Sequence, residues 1–425
     1  MSKRVLVVGQ GGREHALVWK LAQSPEVKKV YSAPGNPGIA ELAECVDIAA
    51  NDIEKLVAFA KEKDISLTVV GPEVPLMEGI ADRFQQENLL VFGPTKEAAR
   101  LEGSKVFSKD LFKKYGIPTA SYETFCSPYE ARVYARFFTD EGKSIVIKAD
   151  GLAAGKGVII ANTFEEADQA IESIMKDKQF GSAGDRIVVE EFLEGEELSF
   201  FAISDGTNFV SIMAAQDHKR VFDFDEGPNT GGMGAYVNPP VYTDTLKEQI
   251  IREVIQPTIH AMQQEGCPYQ GVLYAGLMLT EEGPKVLEYN ARFGDPETQV
   301  LMPMIEGDLF PILEAAAVGD LTNTEVGVKS GSCVCVVLAS GGYPGPFEKG
   351  KEIQGLQSLE SDILVFQAGT CEKDGKLLTN GGRVLAVVAG GETIKSATER
   401  VYREVEKVHF DGMHYRRDIA RRALN

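Results

Sequence analysis

The chain has 425 residues, of which 44% are hydrophobic and 25% are charged, and its formal net charge is −19. This length suggests about three domains, and the acidity argues against a nucleic-acid or anionic-membrane partner. The six cysteines form no CxxC pair, which is typical of reduced thiols, and no apolar run approaches the ~20 residues of a membrane span. We therefore expect a cytoplasmic protein.

The first hundred residues alternate short apolar segments with helical patterns. Strands are predicted at residues 5–8, 67–70 and 89–92, and helices at residues 14–23 and 77–86. This alternation is typical of a doubly wound parallel sheet. Residues 1–103 are therefore predicted to form an N-terminal α/β domain.

Two further domains are predicted, at residues 104–325 and 326–425. In the second domain Ser104 is placed to cap a helix that ends at Tyr115. A hairpin of residues 274–279 and 285–289 and a glycine-rich loop at residues 227–234 are also expected there. The rest of the second domain is predicted to contain strands at 144–148, 158–161, 187–190 and 198–203 and helices at 164–176 and 247–264. The third is expected to be a small α+β domain with strands at 332–339 and 383–389 and a helix at 394–408.

A glycine-rich turn, Gly9-Gln10-Gly11-Gly12-Arg13-Glu14, follows the first strand. Glycines at this place let backbone N–H groups approach an anion at a helix N-terminus. The turn departs from the GxGxxG dinucleotide fingerprint, because Glu14 stands where the third glycine belongs. A tight turn without a ligand remains an alternative to the site that we favour, which binds a small phosphate-bearing substrate.

A second glycine-rich segment, Lys148-Ala149-Asp150-Gly151-Leu152-Ala153-Ala154-Gly155-Lys156-Gly157, joins two predicted strands. It fails the Walker pattern, because the spacing is one residue short and Gly157 replaces Ser or Thr. We predict that residues 151–157 form a mobile hairpin that closes over a triphosphate. Lys148 ends an apolar strand, where an ammonium group is costly unless it meets an anion or extends to solvent.

An acidic segment follows the strand predicted at residues 187–190. Backbone groups of Phe192 and Leu193 are predicted to bind an adenine edge, and a neighbouring carboxylate is predicted to bind ribose hydroxyls. The alternative is that these glutamates form a solvated face.

The most informative segment is Lys285-Val286-Leu287-Glu288-Tyr289-Asn290-Ala291-Arg292. Alternation along a strand places Glu288, Asn290 and Arg292 on one face, and Leu287 and Tyr289 on the other. A carboxylate beside an amide oxygen suits Mg²⁺, and an arginine suits phosphate. The alternative is an edge strand with a polar face.

Polar loops surround this segment. Asp295 and Glu297 follow it directly and are expected to orient an amine or a positive side chain. Asp217 and Lys219 precede the loop at residues 227–234, and such a glycine-rich loop is either a hinge or a site of close approach.

These segments, in this order, resemble the ATP-grasp superfamily. The run Arg292-Phe293-Gly294-Asp295-Pro296-Glu297-Thr298-Gln299, the loop at residues 227–234 and the turn at residues 7–15 resemble signatures of the glycinamide ribonucleotide synthetase (phosphoribosylamine–glycine ligase) family. The resemblance covers essentially the whole chain. It implies an ATP-grasp core with a mobile lid subdomain at about residues 118–190. The implied reaction joins glycine to 5-phosphoribosylamine through glycyl phosphate, yielding glycinamide ribonucleotide, ADP and phosphate in purine biosynthesis.

The resemblance also implies the roles of individual residues. Glu288 and Asn290 are expected to bind Mg²⁺ or Mn²⁺, and Arg292, Lys148 and Asp295 to act in catalysis. The expected ATP contacts are Lys105, Lys148, Gly155, Gly157, Glu190, Phe192, Leu193 and Glu197, with Glu191 and Glu196 as one-residue alternatives. The expected substrate contacts are Gly9, Gly11, Gly12, Arg13, Glu14, Glu73, Asp217, Lys219, Gly232 and Pro296.

The expected partners are the small molecules glycine and 5-phosphoribosylamine, and the expected assembly is a monomer. Three rival functions remain. They are an ATP-grasp ligase for another acid, a nicotinamide-dependent oxidoreductase that uses the N-terminal turn, and a catalytically silent ATP-binding regulator.

Overall fold

The computed structural model describes residues 2–151 and 157–424. Its N-terminal part is a five-stranded sheet in the order β3-β2-β1-β4-β5, and every pairing in it is parallel. Alternate residues of the first strand pack into different cores, Val7 with Leu17 on one face and Leu6 with Leu56 on the other. The predicted doubly wound sheet is confirmed. Its elements are β1 (Lys3–Gly9), α1 (Gly12–Leu21), β2 (Val27–Pro34), α2 (Pro37–Ala40), β3 (Glu44–Cys45), α3 (Ile53–Glu62), β4 (Leu67–Val70), α4 (Glu73–Glu78), α5 (Ile80–Gln86) and β5 (Val91–Phe92).

The helix predicted at residues 77–86 is two helices in the structure. Gly79 ends α4 with φ of 93°, a left-handed conformation that glycine adopts readily, and α5 starts after it. The added first helix, α4, begins at Glu73 and brings this residue to the carboxyl edge of the sheet, next to the end of β4.

A smaller antiparallel sheet in the order β6-β9-β7-β8 follows. Two helices cover it, and together they enclose a core of their own that includes Ala131, Ile147 and Ile171. Residues 152–156 of the predicted lid hairpin lie outside the described residues. The elements of this part are α6 (Arg100–Gly103), α7 (Lys105–Tyr115), β6 (Tyr122–Phe125), α8 (Pro128–Thr139), β7 (Ile145–Ala149), β8 (Val158–Ala161), α9 (Phe164–Ile171), which continues as a π-turn to Lys176, and β9 (Ile187–Glu191).

The largest sheet has eight strands in the order β16-β15-β10-β11-β14-β19-β23-β20. Its C-terminal strands join the others through antiparallel pairing of β14 with β19, so the C-terminal part continues the same sheet. The strands are β10 (Glu196–Asp205), β11 (Phe209–Asp217), β14 (Gly234–Val237), β15 (Gln270–Thr280), β16 (Gly283–Asn290), β19 (Ser332–Ala339), β20 (Leu364–Gln367) and β23 (Arg383–Gly391).

Helices cover both faces of this sheet, and short strands form separate two-stranded sheets. None of the described helices is long and apolar enough to cross a membrane. The helices are α10 (Asp244–Ile250), which continues through a π-turn into α11 (Gln256–Gln264), α12 (Glu297–Met304), α13 (Phe310–Val318) and α14 (Ile394–Val405). The short strands are β12 (Arg220–Phe222), β13 (Glu226–Asn229), β17 (Ile305–Glu306), β18 (Gly327–Val328), β21 (Thr370–Lys373) and β22 (Lys376–Thr379).

The glycine-rich loop predicted at residues 227–234 is only partly a loop. Its first residues belong to β13, which pairs with β12 in a hairpin. The turn of this hairpin contains Phe224 and Asp225, both with positive φ. The sequence prediction placed no strand here, because the short strand Glu226–Asn229 contains only glutamate, glycine, proline and asparagine.

Candidate active site

Glu288 and Asn290 point to the same face of the large sheet, as predicted. In the strand register Glu288 lies beside Gly276, which in turn lies beside Ser199, and Asn290 lies beside Tyr274. Neighbours in register present their side chains to the same face. A β-carbon added to Gly276 would lie 3.5 Å from Cγ of Glu288, so glycine at this position leaves room beside the carboxylate.

The prediction that Leu287 lies on the opposite face is wrong. Val286 pairs with Leu277 and Glu288 pairs with Gly276, so Leu287 is the extra residue of a β-bulge. The bulge interrupts the alternation of side chains. Leu287 consequently packs against Met278 on the face that carries Glu288.

Within the described residues, neither the Glu288 carboxylate nor the Asn290 amide has a hydrogen bond or an ion pair to another protein group. No group of three or more His, Cys, Asp or Glu side chains in the described chain forms a closed metal site. Two hard oxygen donors without protein partners fit Mg²⁺ or Mn²⁺, because Mg²⁺ usually takes one or two carboxylates and completes its shell with water and substrate phosphates.

Lys148 is buried and does not extend to solvent, which rules out that alternative. Its ammonium group donates to the carbonyl oxygen of Leu287 at 3.0 Å. It also lies 2.9 Å from Oε1 of Glu190, an ion pair without good hydrogen-bond alignment. The other oxygen of Glu190 accepts a hydrogen bond from Lys109 at 2.9 Å. The Glu190 carboxylate, expected at adenine, therefore lies between two lysines.

Lys105 opens α7 and lies beside the start of the glycine-rich hairpin. Its ammonium group donates to the carbonyl oxygen of Gly151 at 3.2 Å. Ser104 caps the helix as predicted, and its hydroxyl also donates to Asp150 at 2.9 Å. Gly157 is buried and accepts a hydrogen bond from the backbone of Ala149, whereas Gly155 lies outside the described residues.

The expected adenine and ribose contacts are divided between the small sheet, where Glu190 lies on β9, and the large sheet, where Glu197 lies on β10. The backbone N–H of Phe192 donates to the carbonyl oxygen of Ser144 at 3.3 Å, and the phenyl ring is 39% exposed. Leu193 is buried against Met278 of the large sheet.

Glu196 and Glu197, the two alternative ribose contacts, have different hydrogen-bond partners. Glu196 accepts from Gln216 at 2.7 Å, whereas Glu197 accepts from Lys219 at 2.6 Å. Lys219 also contacts Asp217 at 2.8 Å. Burial opposes the charged ammonium, but Asp217 and Glu197 outweigh burial and raise the pKa of Lys219 above its ordinary value.

Glu297 lies fully buried near the same lysine. It accepts a hydrogen bond from the Tyr274 hydroxyl at 2.6 Å. Burial and the neighbouring Asp217 together raise the pKa of Glu297. The positive charge of Lys219 opposes these two effects, and the expectation that Glu297 orients an amine or a positive side chain stays a prediction.

The N-terminal turn contains its own anion. The Glu14 carboxylate accepts the backbone N–H of Gly11 at 2.6 Å and the guanidinium of Arg13 at 2.6 Å. A β-carbon on Gly71 would lie 2.1 Å from Glu14, so the side chain fills the crevice between the ends of β1 and β4. Strand order reverses at this crevice, where doubly wound sheets bind ligands. The Glu14 charge disfavours a pyrophosphate at this position.

Arg292 lies beyond the end of β16, where strand alternation no longer applies. Its guanidinium lies 3.1 Å from Glu102 and 3.4 Å from Glu73. Arg13 reaches the same place by donating to the carbonyl oxygen of Phe293 at 3.2 Å. We call this group of side chains, together with Glu14, the crevice cluster.

Asp295 is held by a residue that sequence reasoning missed, Arg383 at the start of β23. Arg383 contacts the Asp295 carboxylate at 3.1 Å and its carbonyl oxygen at 2.8 Å, and donates to the carbonyl oxygen of Gly231 at 2.7 Å. Burial disfavours the carboxylate, but Arg383 and Arg13 outweigh burial and lower the pKa of Asp295. Arg383 thereby ties Asp295 to the glycine-rich loop.

Gly232 and Pro296, both expected at the substrate, touch each other. Gly232 has φ of 112°, and a β-carbon there would lie 2.4 Å from Cδ of Pro296. Only glycine permits this approach. The glycine-rich loop at Gly232 and the segment after β16 at Pro296 are therefore in direct contact.

Three family models together match nearly the whole chain. They are the N domain of phosphoribosylglycinamide synthetase over residues 3–102, its ATP-grasp (A) domain over residues 103–298 and its C domain over residues 333–422. The chain belongs to the phosphoribosylglycinamide synthetase family.

Curated relatives agree with this assignment. The phosphoribosylamine–glycine ligase of Halalkalibacterium halodurans is 52% identical over 99% of this chain and 97% of that protein. The enzyme of the same name from Caldanaerobacter subterraneus is 51% identical over 98% of this chain and 99% of that protein.

Solved structures share the fold. The phosphoribosylamine–glycine ligase of Thermotoga maritima matches with a TM-score of 0.85 at 40% identity, covering 98% of this chain and 100% of that one. A biotin carboxylase domain from Hydrogenobacter thermophilus, solved with MgADP, matches with a TM-score of 0.76 at 17% identity, covering 98% and 92%. At this identity the second match supports the fold alone.

Lys109, like Arg383, was missed for a physical reason. It lies 81 residues from Glu190, and Arg383 lies 88 residues from Asp295, so neither pair shares a local motif. The available signal for Lys109 was its place on α7 between the buried positions Val106 and Phe112. A lysine on the apolar face of a helix needs a counterion in the core.

Proposed function

We propose that this protein is an ATP-dependent ligase that joins glycine to 5-phosphoribosylamine, forming glycinamide ribonucleotide, ADP and phosphate in purine biosynthesis. The observation that carries the proposal is the pair Glu288 and Asn290, unpartnered among the described residues and adjacent to the Leu287 carbonyl that holds Lys148. It occurs in a chain about half identical, over its full length, to curated phosphoribosylamine–glycine ligases.

The proposed chemistry has two steps. A glycine carboxylate oxygen attacks the γ-phosphorus of ATP, and ADP leaves. The amine of phosphoribosylamine then attacks the acyl carbon of glycyl phosphate, loses a proton, and phosphate leaves with the carbon–oxygen bonding pair. Neither step needs a nucleophilic side chain, so the protein contributes positioning and charge neutralisation.

The nucleotide is proposed to bind between the small and the large sheet. Glu288 and Asn290 would hold Mg²⁺ or Mn²⁺, which when bound neutralises phosphate charge. Lys148 exchanges the Leu287 carbonyl for a phosphate oxygen, and Lys105 contacts Gly151 at the start of the predicted 151–157 lid hairpin, which includes Gly155 and Gly157. Closure of this lid excludes water from the acyl phosphate. The segment from Glu190 through Phe192 to Leu193 is proposed at adenine, and Glu197 at ribose.

Phosphoribosylamine is proposed to bind at the crevice cluster, beside Gly9, Gly11 and Gly12. The carboxylates of Glu14, Glu73 and Asp295 suit its amine and hydroxyls, whereas the guanidinium groups of Arg13 and Arg292 suit its phosphate. Asp217, Lys219, Gly232 and Pro296 are proposed to line the glycine side of the cleft. A β-carbon at Gly11 would lie 2.9 Å from Glu14, so Gly11→Val should weaken phosphoribosylamine binding.

The remaining proposals concern organisation. We propose a cytoplasmic monomer with domains at residues 1–103, 104–325 and 326–425, whose lid subdomain covers about residues 118–190. The separate core of the small sheet supports the lid, because a unit with its own core can move as a rigid body.

The test is phosphate release from ATP and Mg²⁺ with glycine and with phosphoribosylamine generated in situ, each omitted in turn. We expect release only when both are present. Release with another amino acid in place of glycine would favour an ATP-grasp ligase for that acid. ATP binding without release under any condition would favour a regulator, and binding of a nicotinamide cofactor would favour an oxidoreductase.

A further inference from the structure

Lys109 and Lys148 share a single carboxylate. Glu190 places one oxygen 2.9 Å from each ammonium group, and all three side chains are buried. Two ammonium groups and one carboxylate leave one net positive charge in this place. Without Lys109, Glu190 and Lys148 would form a neutral pair.

Both lysines are linked to β16 close to Glu288, Lys148 directly and Lys109 through Thr119. Lys109 donates to the Thr119 hydroxyl at 2.7 Å, and this hydroxyl donates to the carbonyl oxygen of Val286 at 2.6 Å. Lys148 donates to the next carbonyl, that of Leu287 in the bulge. The two lysines thus join the small sheet, α7 and the bulged strand at one point.

The two lysines are bound differently. Lys109 has aligned hydrogen bonds to Glu190 and to Thr119, whereas Lys148 is aligned on the Leu287 carbonyl and only close to Glu190. Burial lowers the pKa of Lys109 to about 8, although Glu190 opposes this effect. Burial also disfavours the Glu190 carboxylate, but Lys148 and Lys109 outweigh burial and lower its pKa.

We propose that Lys109 is a positioning residue for ATP: by binding one oxygen of Glu190 it shares the charge of that carboxylate, so that Lys148 is not its sole counterion and can transfer to the triphosphate. This inference rests on the proposed nucleotide site. Lys109 itself does not touch ATP in this scheme. Its loss acts through Lys148, which becomes the sole counterion of a buried carboxylate and is held away from phosphate.

The decisive variant is Lys109→Met, which keeps the length of the side chain and removes its charge. We expect its Kd for a Mg²⁺ complex of a non-hydrolysable ATP analogue, and its KM for ATP, to rise about tenfold. The KM for glycine should stay within about twofold of wild type. Lys109→Arg should bind the analogue like wild type. Lys113→Met, at an exposed position one turn further along the same helix, is the matched control.

The double variant Lys109→Met with Glu190→Gln separates positioning from simple structural support. A neutral amide no longer holds Lys148, so in the Glu190→Gln background Lys109→Met should change analogue affinity by less than about threefold relative to Glu190→Gln alone. Equal affinities of folded Lys109→Met and Lys113→Met would overturn the inference. Should Lys109→Met fail to fold, a folded double variant that binds about tenfold more weakly than Glu190→Gln alone would overturn it as well.

These outcomes are independent of the identity of the substrates. If wild type releases no phosphate with glycine and phosphoribosylamine, the proposed reaction fails, while analogue binding still decides the role of Lys109. If wild type is active and the Lys109 variants bind like the control, only the positioning role fails.

Discussion

Two polar regions of this molecule treat their charges in opposite ways. On the large sheet, Glu288 and Asn290 have no protein partners among the described residues. In the crevice cluster, Glu14 is paired with Arg13, and Arg292 lies between Glu73 and Glu102. In the proposed function the first region accepts a cation, whereas the second exchanges internal partners for a substrate.

The difference fits what each region is proposed to bind. A bare carboxylate on an open strand is solvated by water, and a metal ion replaces that water at little structural cost. Buried charges of both signs must be paired with each other before a ligand binds, because an unpaired buried charge loses its solvation without compensation. A ligand that carries both an amine and a phosphate can replace such internal pairs one by one, so the charge pattern of the crevice cluster matches a zwitterionic substrate.

The largest effect is expected on the rate of phosphate release, from a substitution of Glu288 in the first region. Glu288→Ala should lower the rate of phosphate release roughly 10²–10³-fold, as expected when a group that stabilises transferring charge is lost. Its free energy of unfolding should stay within about 0.5 kcal/mol of wild type, because no described protein group loses a partner. Steady-state kinetics and urea unfolding measure the two quantities. Glu282→Ala, in the exposed turn before β16, is the control, and equal activities of the two variants would contradict the assigned metal ligand.

The next largest effect is expected in the crevice cluster, where a substitution should lower stability, unlike Glu288→Ala. Glu14→Gln removes a buried charge that holds Arg13, and the free energy of unfolding should fall by about 3 kcal/mol. The KM for phosphoribosylamine should rise in the same variant, with the KM for ATP unchanged. The exposed Glu26→Gln provides the reference for urea unfolding. A Glu14 variant as stable as this reference would show that the crevice cluster does not depend on its internal pairing.

A smaller effect is expected at the junction of the two regions. Arg383→Lys keeps the charge but loses the planar fork that spans Asp295 and Gly231. We expect kcat/KM for phosphoribosylamine to fall about tenfold, equivalent to about 1.4 kcal/mol. Lys351→Arg, at a surface position of the C-terminal part, gives the matched reverse exchange. Wild-type kinetics in Arg383→Lys would remove the need for the bidentate contact.

The two regions also differ in how much of their structure could be predicted from the sequence alone. Alternation along the strand correctly placed Glu288 and Asn290 on one face, because the period of two survives at both residues. It failed for Leu287, since the bulge depends on pairing with β15, which local sequence does not specify. Doubly wound topology was predictable for a similar reason, as buried parallel strands are continuous apolar runs.

In the crevice cluster the residue types were recognised but their use was not. The glycines around Gly9 indicated an anion site at the start of α1, and the structure fills that site with the side chain of Glu14. A capping glutamate three residues after a glycine is compatible with either outcome in a sequence. The roles of Arg383 and Lys109 could not be predicted from the sequence for a different reason, since each meets its partner only through the tertiary fold.

The last expected effect, similar in size to that of Arg383→Lys, concerns the pH dependence of stability. His15 follows Glu14 on α1, and its Nδ1 accepts the backbone N–H of Gln367 at 2.9 Å. Burial lowers the pKa of His15 to about 4, from an ordinary value of 6.5. Between these values the unfolded chain takes up a proton that the folded chain refuses, so the free energy of unfolding falls as the pH falls from about 6.5 toward 4.

For this one histidine the loss between about pH 7.5 and about pH 5.5 is roughly 1.4 kcal/mol. His15→Gln should therefore lose that much less stability than wild type over this interval, measured by urea unfolding at both pH values. His260→Gln, at an exposed position, is the control variant. A wild-type pH slope in His15→Gln would contradict a buried imidazole that stays neutral in the folded protein down to about pH 4.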